Sequence, residues 1–436
     1  MLLKNSFLYK EKNNIILLAI LLLAFAARLY VWFDFIGKPE SFIQPDTGSY
    51  LDPGMQLLKN GTFPSFSRTP VYPIFLALIK QYISANVAVT ALMQIFLSVV
   101  TVWISFTLSW RIFGLLPAII CSLLVALDFQ SMLTANFLLT ETIFALILSI
   151  FLIKITTWSQ QEKTIFSSNL LAVIVLGVWL AVLSLCRPVS FLLFIPLAFW
   201  MVLFLRKRKK KIIILVSLFC IFAISLPLAW TLRNYSKTGV CFFTTISAKD
   251  LFVYRAAWNA AFLEKKEFQD VQQAFKQRAS EKQEQENWND GELAQWERQE
   301  GIKILQKNLL VTALQGFTGW LEMYFDKTSF AELHLKKESL PSLAMISWRF
   351  FHLAFLYIGC ILTFILLLKK KFSNEQQQII YLFLIVISYF TVFSIGAETY
   401  GRFRVPIVPT LSLLAAAGWG YLLQGNRFRK CVTFQS

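Results

Sequence analysis

A succession of about ten apolar runs is the feature that most restricts what this chain can fold into. The runs fall near 14–34, 86–109, 113–128, 137–156, 168–186, 189–205, 212–231, 343–368, 377–396 and 405–424 of its 436 residues. Each is roughly the 17–25 residues that an α-helix needs to cross the hydrocarbon core of a bilayer. Backbone N–H and C=O groups in lipid have no water to bond, so such runs must satisfy their own hydrogen bonds as helices. Composition agrees, since 56% of residues are hydrophobic and 15% charged, more apolar surface than a soluble domain can cover. The expected fold class is an all-α polytopic membrane protein with about ten transmembrane helices. The first run follows Lys4, Lys10 and Lys12. It is too long for a signal peptide and no small-residue cleavage site follows, so a retained helix is expected.

The net charge is +17, from 42 Lys and Arg against 25 Asp and Glu. In a soluble protein that excess points to nucleic acid, but here it gathers in short loops between apolar runs, the pattern of a positive-inside membrane protein. Lys4/Lys10/Lys12, Lys154/Lys163, Arg206 to Lys211, Lys369 to Lys371 and Arg427/Arg429/Lys430 all fall on one side if every run crosses. Both termini are then cytoplasmic. The opposite face receives the loop 35–85, a turn near Asp128, the corner at Arg187, a long segment 232–342 and a short loop 396–404. The expected organisation is a transmembrane core 1–231 with its first external loop, an external helical segment 232–342, and C-terminal transmembrane helices 343–436. Within the external segment, 262–300 reads as solvated helices broken at "NWNDG", because it is rich in helix formers of both charge signs. The stretch 301–325 reads as an amphipathic interface helix. Six cysteines without a CxxC pair indicate neither a disulfide framework nor a zinc site, and His334 and His352 stand too far apart to suggest one.

The polar motifs collect on the external face. Residues 46–60 read as a short helix that Asp46 could cap, with Tyr50, Leu51, Leu57 and Leu58 as its apolar side. "GTFPSFSRTP" reads as loop, and "VYPIFLALIKQYI" as a second helix too short to span comfortably. The order Asp-x-x-x-Tyr, Leu-x-x-Gly, then Arg-x-Pro-x-Tyr-Pro-x-Phe-Leu-Ala resembles the first external loop of the family 39 glycosyltransferases. These are GT-C fold membrane enzymes that include the protein O-mannosyltransferases and the lipid A aminoarabinose transferase. "LTETIF" (139–144), "CRPVSFLLFIP" (186–196), "WTLRNYSKTG" (230–239) and "ETYGRFRVPIVPTLSLLAA" (398–416) are similar to later landmarks of the family, in order. Thr47 stands where the protein mannosyltransferases have the second acid of an Asp-Glu pair, which speaks against a protein acceptor. The sequence stops just after its last run, so the soluble C-terminal domain of some relatives is not expected.

The resemblance implies transfer of a sugar from a polyprenyl-phosphate donor to a lipid, glycan or protein acceptor outside the membrane, with inversion. A bacterial inner membrane and an undecaprenyl carrier would be the setting. Such a reaction needs a base for the incoming hydroxyl and positive charge for the departing phosphate. Asp46 is the candidate base, its pKa expected to be raised by apolar walls. Arg68, Arg187, Arg233, Arg402 and Arg404 are the candidate phosphate ligands, since a planar guanidinium binds two oxygens and keeps its charge. Arg402 and Arg404, two apart in what reads as extended chain before Pro406, are expected to reach one phosphate. Tyr50, Tyr72, Glu141 and Glu398 are supporting residues: Glu141 in a buried ion pair with an arginine, Glu398 orienting Arg402 or holding acceptor. Asp34, Asp52 and Asp128 are expected to pair with Arg28 or to cap turns. No nucleotide-sugar site is expected, no cofactor is required, and the scheme needs no metal.

Plainer roles compete with these. Asp46 could be a helix N-cap, and the arginines could be interface anchors. A rival class is a transporter or flippase of a lipid-linked glycan, which would carry ionisable groups deep in several spans. A non-catalytic binder of such a glycan is a third.

Overall fold

The structure is a computed structural model. It describes the backbone of residues 2–160, 166–204, 212–325 and 340–425, and the side chains of 13–160, 170–204, 212–325 and 347–425. The basic run 206–211, Lys163, His334 and the basic residues after 425 lie outside the described residues. Among the described residues every regular element is helical.

The order begins with α1 (Leu2–Ile36), α2 (Thr47–Asn60), α3 (Val71–Tyr82), α4 (Val87–Phe113), α5 (Leu115–Ala126) and α6 (Phe129–Thr134). There follow α7 (Glu141–Gln160), α8 (Phe166–Cys186), α9 (Phe194–Phe204) and α10 (Ile212–Thr238). An outer group comprises α11 (Ile246–Lys249), a π-helical turn Asp250–Ala256, α12 (Ala257–Glu264), α13 (Phe268–Glu286), α14 (Asp290–Lys307) and α15 (Leu309–Phe325). The chain closes with α16 (Leu340–Leu368), α17 (Asn374–Ser394), a 3-10 turn Gly401–Ile407 and α18 (Val408–Gln424).

Among the described residues seven helices are long and apolar enough to cross a membrane: Asn13–Ile36, Val87–Phe113, Glu141–Gln160, Ile212–Thr238, Ser347–Leu368, Asn374–Ser394 and Gly401–Gln424. The other three expected spans appear as α5 (Leu115–Ala126), as α8 (Phe166–Cys186), with side chains described from Leu170 on, and as the apolar stretch Pro188–Phe204. Local breaks set where they meet their neighbours. Gly114 turns between α4 and α5 at φ 92, a conformation open to a residue without Cβ. Pro188 sits at the start of a 3-10 turn that cuts α8 from α9.

The last span is the centre of the bundle. Of its most apolar window 83% is buried, against 22% for the first span, which lies at the periphery. α18 packs closely on α16 because Gly418 meets Gly359: a Cβ at 418 would lie 2.3 Å from the Gly359 carbonyl oxygen. Small residues of this kind let helix backbones approach where no hydrophobic effect drives association.

The segment that follows α10 breaks where its sequence says. α13 ends on Asn287 at φ 52, and Asn289 opens α14 with a capping box closed by Glu292. α15 buries Gln315, Gly319 and Met323 and leaves Leu309, Leu310 and Phe317 exposed.

Candidate active site

Two short loops and the start of the last span make the site. Asp46 stands just before α2 and Arg68 just before α3. Those helices touch backbone to backbone, since a Cβ on Gly54 would lie 2.2 Å from the Pro73 carbonyl oxygen. Asp46 occupies the N-cap position of α2 but its carboxylate makes no capping bond, so the capping role is corrected. Arg68 Nη2 donates to Asp46 Oδ1 at 2.8 Å and Arg402 Nη2 donates to Asp46 Oδ2 at 3.3 Å. Each carboxylate oxygen thus has its own guanidinium.

Arg68 is fixed on all its edges. Its Nε donates to the Ser49 hydroxyl and its Nη1 to the Tyr50 hydroxyl, both at 2.9 Å. The guanidinium also lies 4.2 Å from the centre of the Tyr50 ring, a cation–π contact. Tyr50 meets Tyr72 edge-on at 5.1 Å, and Tyr72, fully buried, donates to Gln94 Oε1 at 2.8 Å. Tyr50 therefore touches the charged centre, whereas Tyr72 supports it from behind.

Glu141 forms the expected buried pair. Its Oε1 lies 3.2 Å from Arg187 Nη1 and 3.9 Å from Arg402 Nε. Glu141 Oε2, Arg187 Nη1 and Arg402 Nε are nevertheless buried without a hydrogen-bond partner. Buried polar atoms are costly to leave without a hydrogen bond. Three arginines face two carboxylates, which leaves one positive charge in excess over Asp46 and Glu141.

The expected raised pKa of Asp46 is corrected. Burial pushes its carboxyl up, but the charges and hydrogen bonds of Arg68 and Arg402 outweigh that and hold it below the ordinary carboxylate range. As it stands, Asp46 is ionised and fully engaged.

The other residues expected at the site are elsewhere. Arg404 is wholly buried: it donates to the Tyr324 carbonyl at 2.8 Å and to Asp128 Oδ1 at 3.3 Å. Arg402 and Arg404 do not share one side, because 401–407 is a 3-10 turn rather than extended chain. At three residues per turn, positions two apart diverge widely. Asp128 also caps α6, accepting from Ser131 N at 2.9 Å. Among the described residues Arg28 makes no hydrogen bond or salt bridge to an aspartate; it donates to Ser98 Oγ and to the carbonyls of Ala24, Val125 and Ala126. Arg233 clamps the loop before α3, donating to the carbonyls of Phe63 and Ser65 while lying over Phe66 and Trp230 at 4.9 and 4.8 Å. Asn234, buried beside it, bonds the Phe242 and Phe243 carbonyls.

Glu398 does not orient Arg402. It accepts from Arg255 through both oxygens, at 2.6 to 3.3 Å. Arg255, Asp250 and Tyr254 belong to the π-helical turn Asp250–Ala256 and were not anticipated; the available signal was the run of ionisable groups in "DLFVYRAAWN". Among the described residues no group of three or more His, Cys, Asp or Glu is placed to hold a metal.

Comparison with protein-family models and with curated proteins gives no match. Solved structures do match. The archaeal oligosaccharyltransferase AglB from Archaeoglobus fulgidus, in complex with an inhibitory peptide and a dolichol-phosphate, aligns over 98% of this chain and 53% of its own, with TM-score 0.57 and 15% identity. The Archaeoglobus fulgidus oligosaccharyltransferase tethered with an acceptor peptide containing the NVT sequon aligns over 94% and 50%, with TM-score 0.54 and 16% identity. ArnT from Cupriavidus metallidurans bound to undecaprenyl phosphate covers 93% of this chain and 78% of its own, with TM-score 0.40 and 13% identity. The chain spans about half the length of the oligosaccharyltransferases. What it shares with them is the fold, an all-α membrane architecture consistent with the GT-C fold and not particular to family 39.

Proposed function

We propose that this protein is a membrane glycosyltransferase, moving a sugar with inversion from a polyprenyl-phosphate donor to an acceptor hydroxyl at the external face. The carrying observation is the clasp of Asp46 between Arg68 and Arg402, with buried N–H groups of Arg402 and Arg187 beside it that make no hydrogen bond. An anionic phosphate is the ligand that such a set of guanidiniums fits. The fold likeness to an oligosaccharyltransferase whose structure includes a dolichol-phosphate supports a lipid phosphate in particular.

The mechanism follows from competition for the arginines. In the free enzyme both oxygens of Asp46 are neutralised, and it is a weak base. A donor phosphate entering beside Arg402 and Arg187 takes up guanidinium N–H bonds, which loosens Arg68 and Arg402 from Asp46. The carboxylate then regains proton affinity where an acceptor hydroxyl arrives. As the hydroxyl oxygen bonds to the anomeric carbon from the far side, its proton passes to Asp46. The anomeric C–O bond breaks, its electron pair leaves with the phosphate, and the arginines stabilise the added charge. Arg404 and Arg233 serve as supports in this scheme: one anchors the 3-10 turn that carries Arg402, the other the loop that carries Arg68.

Charge distribution favours an enzyme over a permease. Arg404 and His352 stand in the first two turns of their spans, and Arg28 just past the midpoint of its own, so these buried ionisable groups share the half of the bundle nearest the site. Purified protein given a panel of labelled polyprenyl-phosphate sugars tests the reading. Release of free polyprenyl phosphate with transfer of label is expected for one donor, and no transfer or hydrolysis from any donor would contradict it.

A further inference from the structure

We propose that Gln44 determines donor specificity, its side-chain amide reading one hydroxyl group of the donor sugar in a small recess beside Arg402. The inference rests on the glycosyl-transfer reading above and deepens it, because it names a group that the transferred sugar must carry.

Separate parts of the chain build the recess. Gln44 comes from the loop before α2, Thr134 from α6, Phe137 and Leu139 from the link to α7, and Tyr400 and Arg402 from the start of the last span. Backbone bonds hold the first of these parts to the link. Leu138 N donates to the Phe42 carbonyl at 3.0 Å, and Thr47 Oγ1 donates to the Leu138 carbonyl at 3.2 Å. Thr47 also pins Gln44 through both main-chain groups. Gln44 N donates to Thr47 Oγ1 at 2.9 Å, and the Gln44 carbonyl accepts from Thr47 N at 2.8 Å. A side chain on backbone held in this way costs little further ordering when a ligand arrives.

The amide is buried and has nothing to bond. Gln44 is 4% exposed, and among the described residues its side chain makes no hydrogen bond. An amide carries both donors and acceptors, and burying them without partners is costly. The Thr134 hydroxyl beside it is already used, donating to the Gln130 carbonyl at 2.8 Å. Arg402, which holds Asp46 through Nη2, adds a buried Nε–H that makes no hydrogen bond.

Size and charge decide what enters. The recess has a volume of about 10 Å³, space for a water or one hydroxyl and too little for a sugar ring or a whole phosphate. Gln44, Thr134, Phe137 and Leu139 are buried, whereas Tyr400 is 38% exposed and Arg402 half-buried. The recess therefore opens beside Tyr400 and Arg402, next to the clasp on Asp46. A hydroxyl both donates and accepts, which matches a neutral amide, whereas a phosphate oxygen only accepts and would leave the amide carbonyl bare. The hydroxyl that fits is one on the sugar whose phosphate Arg402 would hold.

Donor analogues test this on the unaltered protein. The probes are the labelled polyprenyl-phosphate sugar that the parent uses and its monodeoxy and mono-O-methyl analogues. One ring position should stand out. Either change there should lower kcat/KM roughly 10–100-fold, the cost of leaving a buried polar group unmatched, and the methyl ether also overfills the recess. Gln44→Leu should lose about the same factor on the natural donor and should use that deoxy analogue equally well. Equal use of every monodeoxy analogue by the parent would show that the recess holds water only, and would overturn the assignment. A folded Gln44→Leu protein that keeps the parent's preference, or that slows on all donors alike, would overturn it too. Absence of transfer by the parent from any donor would instead sink the glycosyl-transfer reading.

Discussion

Arg402 Nη2 lies 3.3 Å from Asp46 Oδ2 although the two residues are 356 positions apart in the chain. The start of the last span thus closes the loop that follows the first span, and with Glu141 behind it Arg402 joins the two acidic groups of the site. Arg404, two residues on, serves a different pair, Asp128 and the Tyr324 carbonyl.

That divergence separates two substitutions that look alike in sequence. Lysine keeps charge but loses the planar fork, so Arg402→Lys or Arg68→Lys should fold normally and weaken donor use by about 1–3 kcal/mol, the scale of a charge-assisted hydrogen bond. Arg404→Met strands a buried Asp128 and should destabilise the fold by about 3–5 kcal/mol. The Arg404→Met protein that remains folded should bind donor as the parent does. Thermal midpoints in detergent and donor binding, measured on the same preparations, check both.

Glu297 supplies a pH-dependent prediction for the external helices. It is 6% exposed, and burial pushes its carboxyl up to about 7, with Lys249 pulling only partly the other way. A folded-state pKa above the unfolded one means that folding favours the protonated form. Stability therefore declines as pH rises from the unfolded value through about 7, by about 3 kcal/mol in full. Glu297→Gln should raise the thermal midpoint at pH 8.5 and change it little at pH 5. An equal gain at both would show that the charge of Glu297 is not what costs stability.

The site's side of the membrane is tested by labelling. In a background freed of native cysteines, which the exposed Cys241 requires, Thr62→Cys, Asp270→Cys and Tyr400→Cys should react with an impermeant thiol reagent in intact cells. Lys209→Cys should not. Labelling at 209 with protection at 270 would reverse the proposed orientation.

Much of the fold was legible because a bilayer imposes a length on every span and alternation of charge marks the loops. α2, the loop and α3 fall where Asp46 to Tyr82 placed them, and Glu141 has its arginine because an unpaired acid there would be costly. What escaped was contact at long range. Nothing local pairs Glu398 with Arg255, 143 positions away, and helical spacing pointed instead to Arg402. Pro406 suggested extended chain before the last span, but the residues around it wind into a 3-10 turn, which sends Arg402 and Arg404 apart. The pKa of Asp46 was misread for a related reason. Apolar walls do raise it, but both arginines that override them arrive from outside its helix.

The central claim is that Asp46 takes the acceptor's proton once a donor phosphate has drawn off its arginines, and Asp46→Asn tests it most directly. The amide keeps size and polarity and removes the proton acceptor. Binding and turnover of a labelled polyprenyl-phosphate sugar should be measured for this variant beside the parent, with Asp34→Asn and Asp52→Asn as controls. Turnover should fall about 10²–10⁴-fold while donor binding is kept or tightened, since no carboxylate then competes for Arg68 and Arg402. Near-normal turnover, or donor binding lost in step with turnover, would contradict the account.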